Sequence, residues 1–300
     1  MTNSILSDAF RVTVDGLEML KLALGATIYF RDSTDVTKNG IAKIIDLVWP
    51  IMETRVKSFQ TTNMKQIKKL GGLGMEPLRT MLAAAPSPVF SSTRIDNRLK
   101  PDEAPDSSIA LALKGGGKAG HFALRFPADT EPDILVKIAR IAIDETEIAH
   151  GYCGFTLAYN RLSLRSSLVE EKLFAIGMRH PGIDLPSEGN TSFVIADGIK
   201  RVNWITLLGS DLVSKVRLED LGKEARVSIY SGRFGRAIRA GEVPTIGDVN
   251  KRATCELYHI VGRVLEPIRN KTHPAFILDA SSRIAASAER TEHWLSSLDN

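Results

Sequence analysis

Apolar and polar residues alternate along four segments of the chain, which is the pattern of half-buried β-strands. These segments cover residues 21–31, 108–114, 121–126 and 151–160. The second and third flank the glycine-rich stretch GGGKAG, so together they predict a β-hairpin. A further hairpin is predicted within residues 225–242, and another strand near residues 192–196.

Apolar residues spaced three or four apart predict helices elsewhere in the chain. The first begins at Thr34 or Asp35 and should end or kink at Pro50, because proline lacks the N–H of the helical hydrogen bond. The alternative is a second helical piece that starts at Pro50 and runs to Phe59. A second helix, capped by Thr130, carries an apolar stripe from Ile134 to Ala142 and is expected to end at His150 and Gly151. Further helices are predicted over residues 76–85 and 168–178, after the capping residues Asn203 and Asp248, and up to Leu295.

The pattern loosens between residues 60 and 108, where turn-forming sequences such as APSP and PDEAPDSS occur. A long irregular stretch inside a compact domain is commonly a functional loop or a boundary. We therefore expect an N-terminal part, residues 1–106, and a C-terminal part, residues 107–300, which together form one compact unit. The order of strands and helices predicts an α+β fold of mostly antiparallel sheets, with helices on one face and two related halves.

Composition places the chain among ordinary globular proteins. Of its 300 residues, 43% are hydrophobic and 25% are charged, and 39 basic residues against 35 acidic ones leave a formal net charge of +4. These values exclude a disordered chain, a coiled-coil rod and a disulfide scaffold. The charge excess is too small to indicate nucleic-acid binding over the whole surface.

The sequence also indicates where the protein works. Its first residues lack the basic and apolar regions of a secretory signal, and no run approaches the ~20 apolar residues that span a bilayer. Cys153 and Cys255 lie far apart and form no CxxC pair, so we expect two reduced, buried thiols. The prediction is a cytoplasmic protein that does not enter the membrane.

Residues with catalytic chemistry do not fall into a known arrangement. The six histidines lack metal-ligand spacing, Lys118 in GGGKAG lacks the following Ser or Thr of a phosphate-binding loop, and no GxSxG occurs. We therefore predict no catalytic, cofactor-binding or metal-binding residue, and a protein that is not an enzyme. Two alternatives stay open: an uncharacterised hydrolase that uses Asp144, Glu145 and Glu147, and a nucleic-acid-binding module that uses the basic patch at residues 55–79.

Two segments carry a more specific signal, RHPGIDLPSEG at residues 179–189 and GIKRVNWITLLGSDLVSKV at residues 198–216. With GYCGFTLAY upstream and HWLSSLD downstream, they resemble the immunity family of type VI secretion systems that was long known only as a domain of unknown function. The resemblance extends from Leu17 onward and is strongest over residues 152–216. In physical terms its motif residues are expected to hold the fold, with Asn203 as a cap and Trp204 as a buried ring.

The resemblance implies a protein that binds and neutralises a cognate antibacterial effector, by occluding its active site or disturbing its assembly. A cytoplasmic immunity protein implies a toxin that acts there, such as a nuclease. Acidic loops are the expected contact surface, because they complement the basic cleft of a nuclease. The candidate partner-binding residues are Asp102, Glu103 and Asp106, followed by Asp184, Glu188 and Asp197. The expected partner is thus a protein toxin, without a cofactor, a membrane or direct contact with nucleic acid.

Overall fold

Within the described residues, eleven β-strands form one antiparallel sheet. The computed structural model describes residues 9–85, 87, 89–114, 119–160, 165, 167–195, 198–275 and 284–299. The strands are β1 (Val12–Val14), β2 (Leu17–Phe30), β3 (Ser58–Thr61), β4 (Lys68–Lys69), β5 (Ser91–Asp96), β6 (Ser108–Leu113), β7 (Gly120–Pro127), β8 (Ile148–Tyr159), β9 (Ile205–Gly209), β10 (Val227–Ser231) and β11 (Gly235–Ala240). Their order is β10-β11-β9-β8-β2-β7-β6-β5-β3-β4, and β1 pairs with the start of β2.

Helices connect these strands and pack on the sheet. In the same part of the chain they are α1 (Asp35–Met52), α2 (Glu76–Ala83), α3 (Asp133–Glu145), α4 (Ser167–Arg179), α5 (Glu188–Val194), α6 (Ser210–Val213), α7 (Glu256–Leu265) and α8 (Ile284–Ser296). An antiparallel sheet with packed helices confirms the predicted α+β class. Because β5 pairs with β6, the sheet continues across residue 106, and the division into residues 1–106 and 107–300 stays a prediction.

The main hydrophobic core lies between one face of the sheet and helices α1 and α3. Successive residues of a strand point to opposite faces, so Ile28 of β2 shares a face with its partner Phe122 of β7, and Leu124 follows on that face. All three are buried, together with Ile44 of α1 and Ile138 of α3. The alternating segments form strands because every second side chain enters this core.

A second cluster of buried apolar residues lies at the other end of β2. There Leu20 and Leu22 contact a cluster that includes Leu157 of β8, Phe174 of α4 and Trp294 of α8. Trp294 belongs to the predicted last helix, and its full burial fixes α8 against the sheet. This cluster joins the C-terminal helix to the central strands.

Helix α1 begins where the sequence predicts and continues past Pro50. Thr34 is its N-cap, and the Thr34 hydroxyl accepts a hydrogen bond from the Thr37 N–H at 3.1 Å. The helix ends at Met52 and contains Pro50 in its last turn. A proline there removes one hydrogen bond near the helix end and leaves the preceding turns intact, so the helix does not end at Pro50.

The helix predicted after Asn203 is wrong, because a strand occupies that position. Residues 205–209, with the sequence ITLLG, form β9 between β8 and β11 and are buried throughout. A short apolar run that is buried on both faces has no alternation, so its periodicity does not separate a strand from a helix. The sequence pattern therefore favoured the wrong element.

Three other boundaries differ from the predictions. Of the predicted strand at residues 192–196, the described residues 192–195 are not a strand, since α5 covers Glu188–Val194 and the Ser192 hydroxyl donates to the Glu188 carbonyl oxygen at 2.9 Å. Thr130 is not a helix cap, because α3 begins at Asp133. Asp248 caps the short 3-10 turn Val249–Lys251 instead of a long helix, and α7 begins later.

The segment predicted to be irregular, residues 60–108, contains strands at the edge of the sheet. β3 and β5 pair with each other, and β4 consists of two exposed lysines. The sequence of β5, SSTRID, has one apolar residue. Because its other side chains are polar, hydrophobic contrast along this strand is too weak for the sequence pattern to show it.

Candidate functional site

The loop between β5 and β6, residues 97–107, carries the first three predicted partner-binding residues. The Glu103 carboxylate accepts hydrogen bonds from the backbone N–H groups of Leu99 and Lys100, at 2.7 and 3.0 Å. Asp102 and Glu103 are half-buried, and Leu99 is 74% exposed. The loop therefore presents an apolar side chain beside two carboxylates in one defined arrangement.

Two aspartates anchor the ends of this loop. Asp106 accepts a hydrogen bond from Asn97 Nδ2 at 2.7 Å and forms a salt bridge with Lys21 at 3.4 Å. Asp96 is buried and pairs with the equally buried Arg98 at 2.7 Å. Since a buried charge needs a hydrogen-bonded partner, the Asp96–Arg98 pair holds the chain where it leaves β5.

Asp184, from the second predicted group, lies in the interior. Its Oδ1 is 2.6 Å from Lys200 Nζ, and both side chains are buried. The Lys200 ammonium also donates to Tyr152 Oη and to the Leu185 carbonyl oxygen, each at 3.0 Å. The backbone of Asp184 forms a parallel bridge with Thr156 of β8. Asp184 thus ties the segment before α5 to the sheet, away from the surface.

Burial governs the ionisation of this cluster. It raises the pKa of Asp184 and lowers the pKa of Lys200, while the opposite charge of each partner counteracts the shift. The ring of His150 lies against that of Tyr29, with centroids 4.7 Å apart. Burial, with a smaller contribution from the Lys200 charge, lowers the pKa of His150 to about 3. His150 is therefore neutral at physiological pH.

Residues of the motifs that resemble the immunity family lie near the Asp184–Lys200 ion pair and contact one another. Gly154 lies so close to Asn203 that a Cβ there would be 2.1 Å from the Asn203 Oδ1. Trp204 is fully buried, and its Nε1 donates to the carbonyl oxygen of residue 241 at 3.0 Å. The Arg201 guanidinium lies over the ring of Trp294 at 4.2 Å. The motif residues thus connect β8, β9 and α8, which is a structural role.

Glu188, at the start of α5, pairs with Arg125 of β7. Burial acts to raise the pKa of Glu188, but the Arg125 charge, a backbone hydrogen bond and the charges of His121 and Arg94 outweigh it and lower the pKa to about 2. The last candidate, Asp197, lies outside the described residues. Of the six predicted carboxylates, the three in the loop 97–107 share one surface, and contact with a partner stays a prediction for all six.

The face of the sheet opposite the main core forms a groove that reasoning from the sequence missed. Strand pairing places Arg94 of β5, Ala110 of β6 and Ala123 of β7 in one row across the sheet. His121 and Arg125 flank Ala123 on the same face, because they are two positions away along β7. These residues line a cavity of about 660 Å³ between the sheet and α5.

A signal for this groove is present in the hairpin sequence. In HFALRF the residues Phe122, Leu124 and Phe126 enter the core, so His121 and Arg125 must share the other face. The alternation predicts the strand correctly, yet it says nothing of what packs over the second face. The contact of Ser192 with His121, at 2.9 Å, depends on the position of α5.

The other sequence candidates lie apart from the groove. Glu145 pairs with Lys43 at 2.8 Å, and Glu147 accepts a hydrogen bond from Thr34 at 2.6 Å, so these carboxylates engage separate partners. The basic patch lies around the sheet edge of β3 and β4, and its six exposed cations are Arg55, Lys57, Lys65, Lys68, Lys69 and Arg79. Nucleic-acid binding by this patch is an alternative to the main prediction, and it stays untested.

The described part of the chain contains neither a metal-binding cluster nor an exposed thiol. Among those residues, no group of three or more His, Cys, Asp or Glu is placed to hold a metal ion. Cys153 and Cys255 are both buried and unpaired, and burial raises the pKa of the Cys153 thiol, which keeps it protonated. None of the helices described for this chain is long and apolar enough to cross a membrane.

Comparison with known proteins connects the fold to a family. A family model described as "TsiV: Type VI immunity for VRR-NUC" matches residues 122–297, which is more than half of the chain. The fold is similar to that of the Pseudomonas aeruginosa T6SS protein PA0821, with a TM-score of 0.80, 19% sequence identity, and coverage of 97% of this chain and 88% of that chain. Comparison with curated proteins gave no significant match.

Proposed function

Because this chain belongs to the TsiV family, type VI immunity for VRR-NUC, we propose that it binds and neutralises a cognate VRR-NUC nuclease effector. The match over residues 122–297 is the observation that carries the proposal. The fold of a T6SS protein and the sequence motifs at residues 179–216 agree with the same family. The family expected from the sequence is thereby confirmed, and contact with an effector is the step we add.

The proposed action is binding, without catalysis by this chain. A nuclease effector attacks nucleic acid in the cytoplasm, so an immunity protein that protects the cell is expected to meet it there. Occlusion of the active site or interference with the assembly of the effector would each stop the nuclease. Tight recognition of one partner requires a preorganised surface, because ordering a mobile loop on binding costs affinity.

The loop 97–107 is the proposed contact for the basic cleft of the effector. Its carboxylates at Asp102 and Glu103 complement positive charge, and the exposed Leu99 beside them offers an apolar anchor. The hydrogen bonds of Glu103 to the loop backbone hold these groups in place before the partner arrives. Electrostatic complementarity of this kind increases the association rate and favours the correct partner.

The proposal is tested by expressing the VRR-NUC effector in sensitive cells with and without this chain. We expect growth to be restored by the chain, and the two purified proteins to form a complex on size-exclusion chromatography. Failure of the wild-type chain both to protect and to bind would contradict the proposed function.

A charge reversal tests the contact loop separately. Asp102→Lys should weaken binding by about 10-fold, because it places a positive charge against the basic cleft. Glu219→Lys makes the same type of change at an exposed site outside the loop and should leave affinity unchanged. Equal affinities of both variants would remove the loop from the interface while leaving the immunity function in place.

A further inference from the structure

The groove on the polar face of the sheet has the length of an extended peptide segment. It crosses from Gln60 on β3 to Asn160 after β8. Its floor is formed by β3, β5, β6 and β7, four neighbouring strands that span about 14 Å at a spacing of about 4.8 Å, which equals an extended segment of about four residues. Ala110, Ala112 and Ala123 line its floor, so short side chains leave the space above the sheet open.

The charge within the groove is positive and incompletely paired. Arg94 lines the groove half-buried, and its guanidinium forms no hydrogen bond or salt bridge with any described residue. Arg125 is 4% exposed and pairs with Glu188, yet its Nε has no hydrogen-bond partner in the described part of the chain. Asp96 does not compensate, because it is already paired with Arg98.

Arg94 and Arg125 together favour the binding of an anion in the groove. Among the described residues of this region, three guanidinium groups, at Arg94, Arg98 and Arg125, stand against two carboxylates, at Asp96 and Glu188, so one positive charge is left over. A carboxylate that accepts hydrogen bonds from a guanidinium forms a charge-assisted pair, which is stronger than a hydrogen bond between neutral groups. The unpaired positive charge therefore favours one incoming carboxylate.

The surroundings favour a peptide over a nucleic acid as the source of that anion. Met64, Phe90 and Phe193 line the groove, and Phe193 is 54% exposed, which suits apolar side chains of a polypeptide. Glu188 inside the groove would repel a chain of phosphates. Asn160 donates a hydrogen bond to the Pro101 carbonyl oxygen, so the groove continues into the acidic loop 97–107.

We propose that the groove binds an extended segment of the effector that carries an acidic side chain, with its carboxylate received by Arg94 and the neighbouring Arg125. The proposal rests on the proposed function and adds to it the site and the chemistry of the segment. One partner would then contact both the groove and the adjoining loop 97–107. The effector would offer a carboxylate to the groove and a basic surface to the loop.

The test measures the affinity of the purified effector nuclease for the wild-type chain and three variants by isothermal titration calorimetry. Arg94→Glu should weaken binding by about 30-fold or more, because it replaces the attraction for a carboxylate with repulsion. Arg94→Gln removes the charge with less disturbance and should weaken binding to a smaller extent. Arg79→Glu is the control, since Arg79 is an exposed arginine of the basic patch outside the groove.

The thermal unfolding midpoint of each variant is measured as well, so that a loss of affinity is not mistaken for a loss of folding. Wild-type affinity of both Arg94 variants, with the wild-type chain binding normally, would overturn the groove proposal and leave the proposed function standing. If the wild-type chain does not bind the effector, the proposed function fails and this inference fails with it.

Inorganic phosphate and a short DNA duplex are titrated into the same proteins as competing probes. We expect neither to bind in a manner that depends on Arg94. Binding of either probe that Arg94→Glu abolishes, with unchanged affinity for the effector, would overturn the proposal and assign the groove to phosphate groups.

Discussion

The two faces of the sheet bury different kinds of side chain. On one face Ile28, Phe122 and Leu124 pack against α1 and α3, with apolar neighbours. On the other face Arg125 and Lys200 are buried, each beside a carboxylate. A fully buried apolar side chain stabilises the fold by about 1.5–3 kcal/mol, whereas a buried ion pair recovers little more than its desolvation cost. The stability of the fold therefore comes mainly from the first face.

The difference in buried side chains also supports the proposed binding role of the polar face. Apolar residues of similar volume would serve stability as well as buried ion pairs do. Under the groove proposal, charged residues such as Arg94 and Arg125 serve recognition, since they give the groove a positive charge that a partner can match. The two faces then differ in role: one holds the fold, and the other is the proposed binding face.

The largest expected effect is on the apolar face. Phe122→Ala should lower the free energy of unfolding by about 3–5 kcal/mol, because a fully buried ring leaves a cavity. Phe193→Ala is the matched control, since this ring is 54% exposed on the opposite face. Urea unfolding measures both variants. Similar losses for the two phenylalanines would contradict the assignment of the core to one face.

Removal of Lys200 should have the next largest effect. Lys200→Met leaves the buried Asp184 carboxylate without its partner and should cost about 3 kcal/mol of unfolding free energy. The double variant Lys200→Met/Asp184→Leu removes both charges and should recover most of that loss, as measured by urea unfolding. A double variant as unstable as the single one would show that the pair itself holds the polar face together.

Low pH should lower the free energy of unfolding through His150, which is buried on the polar face of the sheet. Burial lowers the pKa of this residue from 6.5 to about 3, so the unfolded chain takes up a proton that the folded chain does not. Stability is complete above pH 6.5 and falls as the pH drops from 6.5 towards 3, by about 2 kcal/mol at pH 5. His273, with a pKa lowered to about 4 by burial, acts in the same direction.

The pH effect is measured by urea unfolding at pH 8 and pH 5. His150→Phe should reduce the difference between the two values, because the group that takes up the proton is gone. His293→Phe, at an exposed site on α8, should leave the difference unchanged. An unchanged pH dependence in His150→Phe would show that other groups cause it.

The smallest expected effect is at the loop that borders the polar face. Glu103→Ala removes two hydrogen bonds to backbone N–H groups and should cost about 1 kcal/mol of unfolding free energy, since the side chain is half-buried. Hydrogen exchange should report faster exchange at Leu99 and Lys100. Unchanged protection of these two amides would mean that the loop does not depend on Glu103 for its conformation.

The predictable parts of the fold are those with local signals. The β6–β7 hairpin follows from alternation, and the start of α1 follows from the cap at Thr34. The immunity family was accessible through motifs at residues 179–216, which are specific because they pack together in space. β9 was missed because a strand buried on both faces has no alternation.

The groove could not be predicted from local sequence patterns, because its residues come from distant parts of the chain. Arg94 and Arg125 lie on strands separated by β6, and α5 covers the same face from a later part of the chain. The pairing of Lys200 with Asp184 likewise depends on the tertiary arrangement of two loops. Side-chain partners of this kind require the register of the sheet, which sequence periodicity does not contain.

The most direct test of the central claim is the nuclease activity of the VRR-NUC effector as this chain is added. We predict that cleavage of DNA falls in proportion to the amount added and stops once the effector is saturated, with Arg94→Glu shifting the curve to higher concentration. Full nuclease activity in the presence of a large excess of the wild-type chain would contradict it.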